Sequence, residues 1–135
     1  MADVLITPSG VAKTLGSVAR GTGGATITAG MAIYADAADS SQLKPGDCTV
    51  VATSQVVGIA LHGSLDEQPV EYQTDGILEI GATLTEGEVY VLSEGGAIAP
   101  HVDLASADEV VIMGVGTSLG DLDMGCFYVS GYTVP

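Results

Sequence analysis

The chain has 135 residues, of which 47% are apolar, and a net charge of −14 from seventeen acidic and three basic residues. That length fits one domain, and a chain this apolar buries enough surface to offset its conformational entropy, which excludes a disordered protein. Three basic residues are too few to replace the counterions of a phosphate backbone. Nucleic acid is therefore excluded as a principal partner, and so is an anionic membrane surface.

The few basic residues are unevenly placed. Residues 1–35 contain Lys13, Arg20 and a single acid, Asp3, whereas residues 36–135 contain Lys44 and the other sixteen acids. Chance explains such a distribution when the basic residues are so few. The functional interpretation is an acidic, solvated body whose N-terminal stretch is free to contact an acidic partner.

The first 24 residues predict an extended N-terminal arm, followed by a β-rich body over residues 25–135. The stretch is rich in Gly, Thr, Ser and Ala, and Gly10 and Gly16 disfavour a helix. Residues 21–24 (GTGG) predict a flexible joint. The first ten residues lack the basic start and long apolar segment of a signal peptide, so we expect synthesis in a cytoplasm.

After the joint, short apolar runs alternate with turn residues every 8–12 positions, which predicts an all-β, single-domain fold. We expect a small barrel or sandwich of the β-tulip or jelly-roll kind. The run at residues 56–61 is apolar on both faces, so it should form a central strand. Residues 103–109 predict one short helical turn. The predicted strands are residues 32–35, 49–52, 56–62, 70–73, 77–80, 89–92, 110–116 and 127–130.

An internal echo supports this organisation. Residues 24–30 (GATITAG) recur as residues 81–87 (GATLTEG), and each copy precedes a strand that carries a tyrosine, Tyr34 or Tyr90. The shared element is an apolar residue followed by a turn whose glycine tolerates positive φ. A third copy at residues 122–125 is weaker, and convergent turn chemistry is the better explanation for it.

Cys48 and Cys126 are far apart in sequence. A disulfide between them is possible, but two cysteines in a strand-rich chain more often act as small buried apolar residues.

No catalytic or metal-binding motif emerges, so we expect neither an enzyme nor a cofactor. His62 and His101 are the only histidines, and neither His-x-x-x-His nor Cys-x-x-Cys spacing occurs. No serine lies in a Gly-x-Ser-x-Gly elbow, and no glycine-rich segment matches a phosphate loop or dinucleotide fingerprint. Paired acids are expected by accident in a body with sixteen of them. Asp121 and Asp123 give only a fragment of a calcium loop.

The order of several segments resembles the capsid cement (head decoration) proteins of tailed bacteriophages, over residues 24–131. The resemblance implies a small β-rich homo-oligomer on the capsid exterior of the virion that bridges neighbouring major capsid protein subunits, with a trimer favoured over a dimer. It carries no catalytic residue. The segments are GATITAGMAIY (24–34), VGIALHG (57–63), QPV (68–70), GILEIGATL (76–84), GEVYVLS (87–93), GAIAP (96–100) and GV (114–115).

The leading hypothesis is a capsid-binding structural protein that adds its arm to a partner's sheet edge. The predicted capsid contacts are Val11, Lys13, Leu15, Val18 and Arg20. The alternative is a carbohydrate- or surface-binding β-module of the fibre or adhesin type, although such sites usually present aromatic platforms and the chain has no Trp. A small-ligand barrel or an enzyme comes third.

Overall fold

The computed structural model describes residues 3–118 and 120–135. Its main secondary structure is the β-strand. The described part of the chain contains only short 3-10 turns besides the strands, as its β-branched composition predicts. The strands are β1 (Val11–Leu15), β2 (Val18–Thr22), β3 (Ala32–Asp36), β4 (Gln42–Pro45), β5 (Val56–Ala60), β6 (Pro69–Gln73), β7 (Ile77–Ile80), β8 (Val89–Leu92), β9 (Ile98–Pro100), β10 (Glu109–Gly116), β11 (Asp121–Asp123) and β12 (Tyr128–Thr133).

The strands form two antiparallel sheets, which pack as a sandwich and not as a closed barrel. The all-β prediction is therefore confirmed. One sheet has seven strands in the order β1-β7-β11-β10-β8-β9, with β12 paired to β10. The other has five strands in the order β2-β6-β5-β3-β4. The edges of the second sheet approach each other at one bridge, Gly23 with Leu43, which curls this sheet without closing it.

Two apolar cores follow from this arrangement. The larger lies between the sheets and includes Leu78, Leu92 and Met113, all fully buried. The smaller fills the curl of the five-stranded sheet around Ile33 and Val70. Strand β5 contributes to both cores and is central in its sheet, as its run of apolar residues predicts.

The repeated GAT segments have the predicted geometry. Ile27 and Leu84, each 2% exposed, are the apolar plugs. Each plug precedes a glycine of positive φ, Gly30 at 92° and Gly87 at 81°. The glycine forms the turn that leads into the next strand. Gly125, in the third copy, has no positive φ, in agreement with its interpretation as convergent.

The predicted strand at residues 49–52 is wrong. The Asp47 carboxylate accepts hydrogen bonds from the backbone N–H and the hydroxyl of Thr49, at 2.8 and 2.6 Å, and folds the chain into a turn. Val50 and Val51 are therefore exposed instead of paired. The predicted helical turn at residues 103–109 is displaced to a 3-10 turn at His101–Asp103.

The predicted N-terminal arm is extended, but much of it is part of the sheets. Its residues supply β1 and β2, which pair with β7 and β6. The predicted joint at residues 21–24 is also held in place, because Gly23 N–H donates to Gln68 O at 2.7 Å and Gly24 N–H to Leu43 O at 2.8 Å. The boundary at residue 24 thus does not separate a loose arm from a body.

Strands β1 and β2 run alongside β7 and β6, and together the four strands form a bent two-stranded ribbon that passes from one sheet to the other. We call residues 11–22 and 69–80 the crossing ribbon. At the bend, an added Cβ on Gly76 (φ 81°) would lie 2.0 Å from Leu15 O, so only glycine fits.

Gly76→Ala and Gly87→Ala form a matched pair, because both glycines have φ of 81° but an added Cβ at Gly87 meets no atom within 4 Å. We expect Gly87→Ala to lower the free energy of unfolding by about 1 kcal/mol through φ alone, and Gly76→Ala to lower it by at least about 3 kcal/mol. Urea unfolding measures both. Equal losses would show that the bend yields to the added methyl group, contrary to this expectation.

Candidate interaction surface

Four of the five residues predicted as contacts lie exposed on the crossing ribbon. Leu15 is 66% exposed and Val18 37%, on either side of the bend. Lys13 is also exposed, and the Arg20 side chain is 71% exposed. Val11 differs, because its half-buried side chain packs against the larger core. The ribbon thus groups two cations and two apolar side chains at the surface.

Both strands that carry these residues are sheet edges. Strand β1 pairs only with β7 among the described strands, and residues 12–15 are exposed in succession, so neither face of this strand is covered. Strand β2 ends the five-stranded sheet. Unpaired edge strands present backbone donors and acceptors to a partner strand.

The bend between β1 and β2 is fixed by hydrogen bonds from the opposite strand. Ser17 N–H donates to the Asp75 carboxylate at 2.7 Å, and Thr74 N–H donates to Ser17 O at 3.0 Å. Gly16 adopts a φ of 146° at this point. Leu15 and Val18 are therefore held in a defined position although they are exposed.

The three basic residues differ in how much of their charge faces solvent unpaired. The Lys44 ammonium lies 2.8 Å from the Asp36 carboxylate and 3.1 Å from that of Asp39. Arg20 lies opposite Glu71 across the β2–β6 pair, at 3.6 Å, in an exposed pair that screening weakens. Lys13 forms no ion pair within the described residues. Lys13 and Arg20 are thus the cations that remain accessible to a partner.

The Lys44 ammonium hydrogen-bonds Asp36 and, with the Ala38 backbone N–H, holds the pKa of Asp36 below its usual value of 3.8. Because the folded-state pKa is the lower one, this pair stabilises the protein above the unfolded pKa, and the contribution is lost as pH falls through the folded pKa. We expect Lys44→Met to reduce the loss of stability below about pH 4. Urea midpoints measured against pH test this.

Lys13→Met is the matched control, because it removes the same charge without removing a carboxylate partner. The same acid dependence in both variants would assign the effect to net charge and contradict the role of the Asp36 contact.

The two histidines have ordinary surface roles. His62 Nε2 accepts a hydrogen bond from Glu71 N–H at 3.0 Å while Nδ1 lies 2.9 Å from Gly63 O, an arrangement that suits a neutral ring protonated at Nδ1. His101 Nδ1 lies 3.5 Å from the Glu88 carboxylate. Within residues 3–118 and 120–135, no group of three or more His, Cys, Asp or Glu side chains is arranged to hold a metal ion.

The cysteines do not form a disulfide. Cys48 is fully buried, as predicted, whereas Cys126 is exposed, so the expectation of burial is wrong for the second. Burial, followed by the nearby Asp108 carboxylate, raises the pKa of Cys48 to about 12, because both disfavour the thiolate. Cys48 is therefore an unreactive thiol at neutral pH.

The sequence makes all five tyrosines candidates for a sugar-binding surface and does not single out the two that are most exposed. Tyr128 and Tyr132 on β12 are 61% and 55% exposed, whereas Tyr90 is buried with its hydroxyl accepting from Thr85 N–H at 2.8 Å. Aromatic residues on strands more often fill core rims, so composition gives no reason to single out these two. Only the pairing of β12 with β10 shows that its outer edge is uncovered.

No family model matches the chain, and no curated protein matches it. No helix in the described part of the chain is long and apolar enough to cross a membrane.

Proposed function

We propose that this chain is a virion structural protein that binds the outer surface of a phage capsid and stabilises it by bridging neighbouring major capsid protein subunits. The observation that carries the proposal is the crossing ribbon. It presents Lys13, Leu15, Val18 and Arg20 along two sheet edges, on a body that is otherwise strongly acidic.

The physical argument concerns what such a surface binds. An exposed edge strand pairs with an extended segment of another protein through main-chain hydrogen bonds. The apolar side chains beside it lose water on contact, and the two cations orient the approach towards an acidic surface. Strands β1 and β2 contain no acid, whereas carboxylates elsewhere, including Glu71 and Glu79 on the partner strands, repel that acidic surface. We therefore expect binding at the outer edges of β1 and β2.

The construction of the ribbon suits a cement protein. Because β1 and β2 belong to different sheets, a load applied to the ribbon is shared by both halves of the sandwich. The binding surface is also held before contact, which lowers the entropic cost of docking compared with a disordered arm. Many copies on one shell then add avidity to a modest single-site affinity.

A carbohydrate-binding module is the second candidate, and the observation that favours it is the exposure of Tyr128 and Tyr132. Sugar rings stack on such aromatic faces. The ribbon takes no part in this alternative, so binding to a glycan array that is lost in Tyr128→Ala and kept in Lys13→Ala would support it over the capsid proposal.

The capsid proposal is tested by co-sedimentation of the protein with undecorated capsids of the phage whose genome encodes it. Deleting residues 1–20 is a poor test, because it removes β1 and most of β2 from the sheets. We expect Lys13→Ala combined with Arg20→Ala to weaken capsid binding by roughly tenfold, with a normal unfolding curve.

Gln55→Glu combined with Ser106→Asp is the matched control. These exposed positions lie in loops outside the ribbon, and the pair of changes makes the net charge more negative by the same amount. The control should bind like the wild type. An equal loss in both variants would reveal a general charge effect, and undiminished binding in both would remove the ribbon from the interface.

A further inference from the structure

The backbone of strand β2 bonds to β6 through every second residue. Thr74 N–H donates to Ser17 O at 3.0 Å just before β2, and Gly23 N–H donates to Gln68 O at 2.7 Å just after it. Along an antiparallel strand the backbone groups of successive residues point to opposite sides, and the β2–β6 register runs without a shift. The odd-numbered residues 17–23 therefore bond to β6, and the even-numbered residues point their N–H and C=O groups away from it.

The opposite strand gives the same assignment. Leu61 N–H donates to Glu71 O at 2.9 Å, and Glu71 N–H donates to His62 Nε2 at 3.0 Å, so the backbone of Glu71 faces β5. Glu71 is the register partner of Arg20. The backbone groups of Arg20 therefore receive no hydrogen bond from β6, and those of Val18, two residues earlier, point the same way.

Two of the other edge strands are interrupted by bulges. The register of β1 with β7 shifts after Lys13, and that of β12 with β10 shifts between Val110 and Val111. A bulge breaks the regular spacing of backbone donors and acceptors that a partner strand needs. Strand β2 therefore offers a regular edge that β1 and β12 do not offer.

The remaining two edges are partly occupied by the chain itself. Gly24 N–H donates to Leu43 O on β4 at 2.8 Å, and Val4 N–H donates to Ile98 O on β9 at 2.8 Å. Strand β9 also ends in Pro100, which has no N–H to donate. Among the edge strands of the described residues, β2 is thus the one whose edge is regular and, in its first half, open.

The side chains of β2 add specific chemistry to this edge. Val18, Arg20 and Thr22 are exposed, whereas the residues between them are half-buried. Side chains two residues apart lie on the same face of a strand, so the three exposed side chains form one row. The Arg20 guanidinium has Glu71 at 3.6 Å on the β6 side. Its five N–H donors leave room for a second carboxylate on the outer side.

We propose that the outer edge of β2 binds an extended segment of the protein partner, with an acidic residue opposite Arg20 and an aliphatic residue opposite Val18. The inference rests on the proposed capsid binding for the identity of that partner. Hydrogen bonds to the N–H and C=O groups of Val18 and Arg20 hold the segment, and the opposed side chains select it.

The direction of the segment sets its sequence pattern. An antiparallel segment meets Thr22 first, then Arg20, then Val18, and the residues between these contacts point to the other face. Its pattern is therefore a β-branched residue, any residue, Asp or Glu, any residue, and an aliphatic residue. Opposite charges and β-branched pairs directly across two strands stabilise the pairing.

The charge selection is tested with a capped peptide of this pattern, Ser-Val-Thr-Glu-Thr-Val-Ser, added to the isotope-labelled full-length protein. We expect the amide NMR signals of Val18 and Arg20 to shift and those of β12 to stay unchanged. Lys in place of the peptide's Glu should weaken binding at this edge by at least about tenfold, and Arg20→Glu should reverse the preference. Gln55→Glu with Ser106→Asp makes the same change in net charge in exposed loops and should keep the wild-type preference.

Proline substitutions test the backbone assignment, because each removes one N–H. Val18→Pro removes an N–H that points outward, so the urea midpoint should stay close to that of the wild type while the peptide affinity falls by about tenfold. Val18→Ala is the side-chain control and should weaken binding by only about threefold. Ala19→Pro removes an N–H bonded to β6 and should lower the urea midpoint by about 1–2 M.

Co-sedimentation of the same variants with undecorated capsids separates this inference from the capsid proposal. If the wild type and Val18→Pro bind capsids equally well, the capsid proposal stands and the inference is overturned. If the wild type does not bind capsids, the capsid proposal fails, and the peptide measurement decides whether β2 accepts an acidic segment from another protein.

Three results of the peptide and unfolding measurements overturn the inference directly. One is the absence of shifts at Val18 and Arg20 with the Glu peptide. Another is equal affinity at this edge for the Glu and Lys peptides. The third is a Val18→Pro protein that unfolds as readily as Ala19→Pro, because that result places the Val18 N–H inside the sheet.

Discussion

The Gln73 side chain is fully buried where the crossing ribbon passes from one sheet to the other. Its amide nitrogen donates to Asp75 O at 2.7 Å, Ile77 O at 3.0 Å and Leu15 O at 3.2 Å, so a single group joins both strands of the ribbon. Loss of this donor would cost each of these carbonyls a hydrogen bond inside the protein. Its own Oε1 has no hydrogen-bond partner in the described structure. This buried amide therefore adds to the hydrogen bonds of Ser17 and Thr74 that fix the bend and position the exposed ribbon residues.

The fold shows which of the three basic residues are accessible to a partner, which the sequence alone does not show. One of the three cations, Lys44, is neutralised by two carboxylates on and next to its neighbouring strand, whereas Lys13 and Arg20 lie on the free edges β1 and β2. The N-terminal region is therefore the only part of the described surface where positive charge is accessible.

The sequence predicts the fold where hydrophobic pattern and burial agree. The run at residues 56–61 identifies a central strand because both of its faces are apolar, and the GAT segments identify two turns because their glycines are required. The prediction from sequence is wrong where one side chain determines the local backbone conformation. At Asp47, the carboxylate folds a β-branched run into a loop. The prediction also fails for β1 and β2, because pairing with β7 and β6 involves residues about 60 positions away and leaves no local signal. The exposed ribbon residues were predicted from composition, but their rigidity follows only from long-range hydrogen bonds.

A strongly acidic protein that coats a lattice meets its own copies as neighbours, and this sets a physical condition on the arrangement. Charges on adjacent copies repel over a Debye length of about 8 Å at physiological ionic strength. Copies at a shorter distance must therefore touch through a surface without charge, or bring the cations of one copy against the carboxylates of the next. The ribbon provides no such surface, because a ribbon-to-ribbon contact would bring Lys13 and Arg20 against their own copies. In the proposed attachment β1 and β2 face the capsid, so a contact between copies uses other strands of the two sheets.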